Sequence, residues 1–255
     1  MSILTVTMIT SFIVLAAGKG SRMNSHLPKV LHPLHGKPLV HHILDTLQSL
    51  NTDTAHRYHL VVGYQADAVQ RATQDYSIHY SIQHEQLGTG HAVQQALNTT
   101  VTPDEHTLVI LPGDCPLISS HTLLNLLTTH QESSADATVL TTQLPEPGAY
   151  GRILRNASGN LIGIQEAKDC SPDQLAITEI NAGIYVFNRT ALVDSIQTLT
   201  CTNAQGEYYL TDSIANLHTN HGTVRSVCTE DPAEAMGVNT TDELSELAAK
   251  YTPNQ

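Results

Sequence analysis

Glycines flanked by cations, placed directly after an apolar run, can grip phosphate. Leu15-Ala16-Ala17-Gly18-Lys19-Gly20-Ser21-Arg22-Met23 has that composition and continues the apolar run Phe12–Ala16. Small residues let a backbone approach phosphate, and successive N–H groups then donate to its oxygens. Lys19, Arg22 and Lys29 add positive charge. Two better-known loops are excluded. The stretch lacks G-x-x-x-x-G-K-[ST], and Met23 stands where a dinucleotide fingerprint needs its third glycine. A glycine-rich turn alone could be a tight strand-to-helix connection. The continuation to Pro28-Lys29 makes a long and specific string, L-A-A-G-x-G-x-R-M-x(4)-P-K.

Asp114 is the strongest metal candidate. It follows Gly113, just past the apolar run Leu108–Leu111. Mg²⁺ takes a few hard oxygen ligands together with substrate phosphates and water. By itself, an Asp followed by Pro116 and Ser119 reads as a turn or cap residue. The histidines are a weaker lead. There are 15, and His32, His35, His41 and His42 cluster, but His41 and His42 fall on different helix faces and no H-E-x-x-H occurs. The four cysteines, Cys115, Cys170, Cys201 and Cys228, form no C-x-x-C pair. They read as buried thiols of a reducing compartment.

The elements that must position these residues alternate along the first half. Phe12–Ala16, Leu60–Gly63, Ile78–Ile82 and Leu108–Leu111 read as strands. Pro38–Leu50, Asp67–Thr73 and Gly90–Leu97 read as helices, and Ser120 starts another. Repeated β-α units of this length imply a parallel sheet with helices on both faces. In the second half, Arg152–Leu154 and Leu161–Ile164 flank a turn-rich segment and predict a hairpin. Ile184–Phe187 and Val224–Val227 predict further strands, and Thr240-Thr241-Asp242-Glu243 predicts a capping box opening a last helix to Lys250. The whole reads as one α/β domain with a β-rich lobe from about residue 145 onward.

Length and charge bound the function. A chain of 255 residues buries an ample core without disulfides or a structural metal. The formal net charge of −12 repels nucleic acid backbones, so no nucleic-acid partner is expected. The stretch Ile3–Ala17 is apolar and ends in small residues, like a signal peptide, but no Lys or Arg precedes it. It is also too short and too rich in Thr and Ser to span a bilayer. The expectation is a cytoplasmic protein with no membrane partner.

The loop string resembles the signature of sugar-nucleotide pyrophosphorylases. More closely, the chain from Phe12 to about Tyr251 is similar to the N-terminal uridyltransferase domain of bifunctional N-acetylglucosamine-1-phosphate uridyltransferase/glucosamine-1-phosphate acetyltransferases. Lys29-Val30-Leu31-His32, Glu85-Gln86-Leu87-Gly88-Thr89-Gly90-His91-Ala92 and Tyr150-Gly151-Arg152-Ile153 carry the resemblance. So do Glu179-Ile180-Asn181, the run Asn203-Ala204-Gln205-Gly206-Glu207-Tyr208-Tyr209-Leu210-Thr211-Asp212, and Gly237-Val238-Asn239.

The resemblance implies a Rossmann-like, mostly parallel sheet flanked by helices, of the nucleotide-diphospho-sugar transferase type, with a β-rich sugar-binding lobe. It implies a nucleotide-binding half over about residues 1–115 and a sugar-binding half over about 116–255. The implied substrates are UTP and N-acetylglucosamine 1-phosphate, with Mg²⁺ as cofactor. The sugar phosphate oxygen attacks the α-phosphorus and pyrophosphate leaves. Such chemistry needs positioning and charge neutralisation more than a protein acid or base. Lys29 and Arg22 would then act on the phosphates, and Leu15, Ala16, Ala17, Gly18, Lys29, Gln83, Gly88 and Thr89 would hold the nucleotide. Gly113, Gly151, Glu166, Asn181 and Asn239 would hold the sugar, and Asp114 with Asn239 the metal. Glu207, Tyr208 and Tyr209 would belong to the sugar-side wall.

Bland readings stand beside these. Glu166 could be a solvated strand-end charge paired with Lys168, and Asn181 a turn residue. Two positions depart from the family pattern: Pro112 stands where relatives often carry Tyr, and Ala182 where they often carry Thr. No hexapeptide repeat is present, so no acetyltransferase activity is expected, and a monomer or small homo-oligomer replaces the trimer those repeats build. Alternatives are a relative using another sugar 1-phosphate or nucleotide, and a nucleotide-sugar binding protein without turnover.

Overall fold

The computed structural model describes residues 9–251. The first part of the signal-like apolar stretch, Ile3 to Met8, lies outside the described residues. β1 (Ile9–Ala16) is followed by the short pair β2 (Pro33–Leu34) and β3 (Lys37–Pro38), then α1 (Leu39–Gln48). Next come β4 (Ala55–Val62), α2 (Ala66–Ala72), β5 (His79–Ile82), α3 (Thr89–Thr99), β6 (Glu105–Pro112) and α4 (Ser120–Glu132). The second half runs β7 (Ala137–Gln143), β8 (Arg152–Arg155), β9 (Leu161–Gln165), α5 (Pro172–Leu175) and β10 (Glu179–Asn188). It ends with α6 (Arg189–Ile196), α7 (Asp212–Thr219), β11 (Val224–Cys228) and α8 (Thr241–Lys250).

The main sheet has the strand order β11-β7-β10-β6-β1-β4-β5. β1 pairs in parallel with β4 and β6, and β4 with β5. β10 is inserted antiparallel between β6 and β7, while β11 pairs in parallel with β7. The β-rich second half is therefore less separate than its sequence suggests. The β8–β9 hairpin leaves the main path, attached to β10, but β10 and β11 complete the central sheet.

Alternation along β1 explains the layers. Phe12, Val14 and Ala16 enter one core with Val40, Ile43, Leu44 and Leu47 of α1 and Leu123, Leu126 and Leu127 of α4. Ile13 enters the opposite core with Ala92, Val93 and Ala96 of α3 and Ile214 and Leu217 of α7. A third cluster joins Met23 of the glycine-rich loop to Leu34, Leu39 and Val238, with Leu244 and Leu247 of α8 against it. Helix α8 opens on the expected capping box, in which Thr240 and Glu243 exchange side-chain and backbone bonds. The late segment around Val238 is thus pinned to the early loop.

A carboxylate lies deep in the sheet. Glu105, at the start of β6, is fully buried. It accepts from the Ser11 hydroxyl, from Thr102 N–H at 2.7 Å and from Arg57 Nη1 at 3.0 Å, and pairs with His59 Nε2 at 2.8 Å. Burial alone would raise its carboxyl, but the bonds from His59, Ser11 and Thr102 outweigh it and hold the carboxyl well below the usual range. A depressed carboxyl contributes stability that is present above the unfolded value, about 4.3, and is lost as pH falls toward the folded one. Glu105→Gln should therefore cost about 2 kcal/mol at neutral pH. That gap should shrink between pH 7 and pH 3 in urea unfolding, and a constant gap would contradict the assignment.

Candidate active site

The parallel strands β1, β4, β5 and β6 all end at one edge of the sheet, where ligands of open α/β sheets bind. Beyond them lie Ala17–Gly18, Gly63, Gln83 and Gly113–Asp114. Because β10 runs antiparallel, it brings its beginning to this edge, and with it Asn181. Gly113 N–H donates to the Leu15 carbonyl at 2.8 Å. A Cβ at Gly113 would meet that same oxygen at 2.9 Å, so only glycine allows the ends of β1 and β6 to come so close.

Two cavities adjoin along this edge. The first, of 360 Å³, is lined by Leu15, Ala16, Ala17, Gly18, Lys29, Gln83, Gly88 and Thr89. The second, of 520 Å³, is lined by Arg22, Gly151, Glu166, Asn181 and Asn239 among others. Leu15, Thr89, Pro112 and Asp114 line both, so they form a shared wall. The structure thus gathers the residues expected at the nucleotide into one space and most of those expected at the sugar into the next. Gly113 is the exception: it lines neither cavity and is buried against Leu15 and Val30, where it supports the wall. Lys19 also stays out of both, with its ammonium over the Tyr64 ring at 5.5 Å.

Charges converge at the shared wall. The Lys29 ammonium forms an ion pair with Asp114 Oδ2 and donates to Asn239 Oδ1 at 2.9 Å. Arg22 Nη2 donates to the same Asn239 oxygen at 2.8 Å. Asn239 is held from behind: its N–H donates to Glu243 Oε2 at 2.6 Å, and Val238 N–H donates to the Asp114 carbonyl at 2.9 Å. Gly20 sets the place of Lys29. Its φ is +65°, and a Cβ there would meet Lys29 Cβ at 2.5 Å. Among the described residues no three His, Cys, Asp or Glu side chains converge as a metal cluster. The donor set of Asp114 and Asn239 nevertheless fits Mg²⁺, since two hard oxygens already meet on one cation.

The second cavity carries polar side chains among its lining. Glu166 is not a solvated charge. Burial, with the nearby carboxylates of Asp212, Asp169 and Glu207, holds its carboxyl above the usual range, against a 3.0 Å bond from the Thr211 hydroxyl. Lys168 does not pair with it and donates to Gln205 at 2.8 Å. Asn181 is already engaged: Nδ2 donates to the Tyr185 hydroxyl at 2.7 Å, and Oδ1 accepts from Gly183 N–H at 3.0 Å. Half of its hydrogen-bonding capacity is left for a ligand. Pro112 and Ala182 both line this cavity.

Some contributors were hidden in the sequence. Tyr150 lines the second cavity, and its hydroxyl accepts from Gly237 N–H at 3.2 Å. Its place directly before Gly151, inside a quoted motif, was the available signal. The expectation for Glu207, Tyr208 and Tyr209 needs correction. Glu207 lines the first cavity, whereas neither tyrosine lines the second. The backbone of Tyr208 and Leu210 acts as a brace instead. Tyr208 N–H donates to the Leu87 carbonyl and Gly90 N–H to the Tyr208 carbonyl, both at 2.8 Å, and Leu210 N–H donates to Thr89 Oγ1 at 3.1 Å. At Gly88 φ is +106°, and a Cβ would lie 2.6 Å from the Tyr208 oxygen, so the brace requires glycine there. The cysteine expectation also changes: Cys115 is buried, but Cys170 is half-buried and Cys201 and Cys228 are exposed. No helix among the described residues is long and apolar enough to cross a membrane.

Known proteins resemble this chain. Residues 12–216 match the MobA-like NTP transferase domain. The bifunctional protein GlmU of Brevibacillus brevis is 46% identical over 237 residues, which is 93% of this chain and 50% of that protein. The bifunctional protein GlmU of Mycolicibacterium vanbaalenii is 42% identical over 243 residues, 93% of this chain and 49% of that protein. The chain therefore spans about half the length of the curated relatives it matches. A crystal structure of a UDP-glucose pyrophosphorylase complexed with UDP-glucose superposes with a TM-score of 0.74 over 95% of this chain and 98% of that one. At 15% identity, that likeness speaks for the fold alone.

Proposed function

This chain belongs to the MobA-like NTP transferase domain family, and within that family we propose that it joins UTP to N-acetylglucosamine 1-phosphate, giving UDP-N-acetylglucosamine and pyrophosphate. The observation that carries the reading is the shared wall: two adjoining cavities meet at Asp114, where the Lys29 ammonium sits between Asp114 and Asn239. A reaction between two phosphate-bearing substrates needs such a place, with each substrate in its own space and cations at the junction. The choice of sugar is supported by the GlmU relatives and by the resemblance that the Gln205–Asp212 run carries.

In this reading the nucleotide occupies the first cavity, with the backbone from Leu15 to Gly18 along its phosphates. The sugar occupies the second, between Gly151, Glu166 and Asn181. Lys29 and Arg22 place positive charge on the triphosphate. The attacking sugar phosphate is already an anion, so no side chain has to remove a proton from it. Asp114 and Asn239 would hold Mg²⁺, which when bound supplies further neutralisation of phosphate charge.

The direct test is a panel of nucleoside triphosphates and sugar 1-phosphates with pyrophosphate detection. Release should require UTP, N-acetylglucosamine 1-phosphate and Mg²⁺ together. Turnover with a different sugar phosphate only would move the substrate and spare the family. Calorimetric binding of UDP-N-acetylglucosamine with no turnover of any pair would instead show a binding protein.

A finer test concerns Gly20. The contact of its would-be Cβ with Lys29 is with the base of that side chain, which cannot swing away as its tip can. Gly20→Ala should displace Lys29 and lower kcat by roughly 100-fold, the cost of misplacing a group by about 1 Å. Loss of no more than threefold would detach Gly20 from the positioning of Lys29.

A further inference from the structure

His91 is not needed by the reading above, yet it contacts the buried side chain of the first cavity. Gln83 follows β5 and is 3% exposed. Its Nε2 lies 3.1 Å from the Gly88 carbonyl oxygen and 3.1 Å from His91 Nδ1. A carbonyl only accepts, so the Gly88 contact fixes the NH₂ end of the amide on this side. Both N–H groups are then committed, one to Gly88 and one to His91. The imidazole that accepts at Nδ1 carries its proton on Nε2. The Gln95 amide nitrogen Nε2 stands 3.0 Å from that N–H, and because two donors cannot share a hydrogen bond, the Gln95 amide is assigned the flipped orientation, with its oxygen accepting there. Gln95 stands one helical turn beyond His91 on α3, so the relay is built on one rigid element.

The consequence is at the other end of Gln83. Among the described residues no group donates to its Oε1, and Gln83 lines the first cavity. With both hydrogens taken, the side chain can offer a base only an acceptor. Uracil presents an imide N3–H, which is a donor, and cytosine presents a lone pair at the same ring position. We propose that His91 is a positioning residue for base selection: by accepting at Nδ1 it engages the Gln83 N–H that the Gly88 carbonyl leaves free, so that the amide is held with only Oε1 toward the base and favours uracil over cytosine. The proposal rests on the nucleotide occupying the first cavity, as in the functional reading.

The test is competition between UTP and CTP in one mixture, read as the ratio of UDP-sugar to CDP-sugar formed, with melting temperature alongside. His91→Leu and His91→Gln should lower the ratio by about fivefold to tenfold, the worth of one neutral hydrogen bond. His91→Asn should keep it, because Asn Oδ1 is as many bonds from Cα as His Nδ1 and can still accept, whereas Gln places its polar atoms one bond farther. A purely packing role would move the melting temperature and overall rate but leave the ratio alone. Unchanged ratios in His91→Leu and His91→Gln, with a wild type that prefers UTP, overturn the inference and spare the functional reading. A wild type that does not use UTP overturns both.

Discussion

Lys29→Ala should lower kcat by roughly 100- to 1000-fold, as loss of one preorganised charge at a transition state does. The same variant should unfold close to the wild-type temperature. Two observations separate the effects. The Lys29 and Asp114 side chains are only 17% and 12% exposed, but both line the first cavity, so water can reach the Asp114 carboxylate once Lys29 is removed and the loss to folding stays small. The local backbone is anchored by the neighbouring Val30, which is buried in the main core, and not by the ammonium. Steady-state pyrophosphate release at saturating substrates and Mg²⁺, paired with calorimetric melting, reads both. A kcat within threefold of wild type would remove Lys29 from the chemistry. A melting loss as large as a core deletion would mean that the pair is structural.

Asp114→Asn should act differently. It exchanges a carboxylate for an amide of the same shape and removes the negative charge that pairs with Lys29 at the junction of the cavities. The Mg²⁺ concentration for half-maximal rate should rise by about 10- to 100-fold. Added Mg²⁺ should restore much of the lost rate, which it cannot do for Lys29→Ala. The backbone carbonyl of Asp114 still accepts from Val238 N–H, so Asn239 keeps its place and the comparison is clean. Equal Mg²⁺ dependence in wild type and variant would exclude Asp114 as a metal ligand.

The site was legible in the sequence to the extent that it is local. Leu15 to Gly18 and Lys29 belong to one continuous string, and Asp114 follows an apolar strand in the usual way. The meeting of Lys29 with Asn239 was available only through resemblance, since 210 positions separate them and no periodicity links them. The brace of Tyr208 on Gly90 is made by backbone atoms, which leave no side-chain signature. Lys19 lies in the same string as Lys29, and the choice of Tyr64 as its partner is a matter of tertiary placement.

Parts of the fold were hidden for other reasons. β7 was not anticipated because Ala137-Thr138-Val139-Leu140-Thr141-Thr142 is buried on both faces, and its threonines break the apolar run without producing alternation. The short helices α6 and α7 carry few core residues each: Leu192 and Ile196 in one, Ile214 and Leu217 in the other. By contrast α1 buries Leu39, Val40, Ile43, Leu44 and Leu47, and its pattern was plain.

The antiparallel strand at the centre has a consequence for how the chain is made. β5, β4, β1 and β6 can pair once residue 112 has been synthesised, but β6 then presents an open edge. That edge is closed only by β10, whose last residue is Asn188. A nascent chain emerging from the ribosome must therefore keep an apolar, unpaired strand in water while some seventy further residues are added, at a pace of seconds. Exposed strand edges recruit other chains. The interval between the two strands is thus the stage of biosynthesis at which this protein most needs a chaperone, and a genetic truncation falling within it would yield aggregate where one after β10 would not share that open edge.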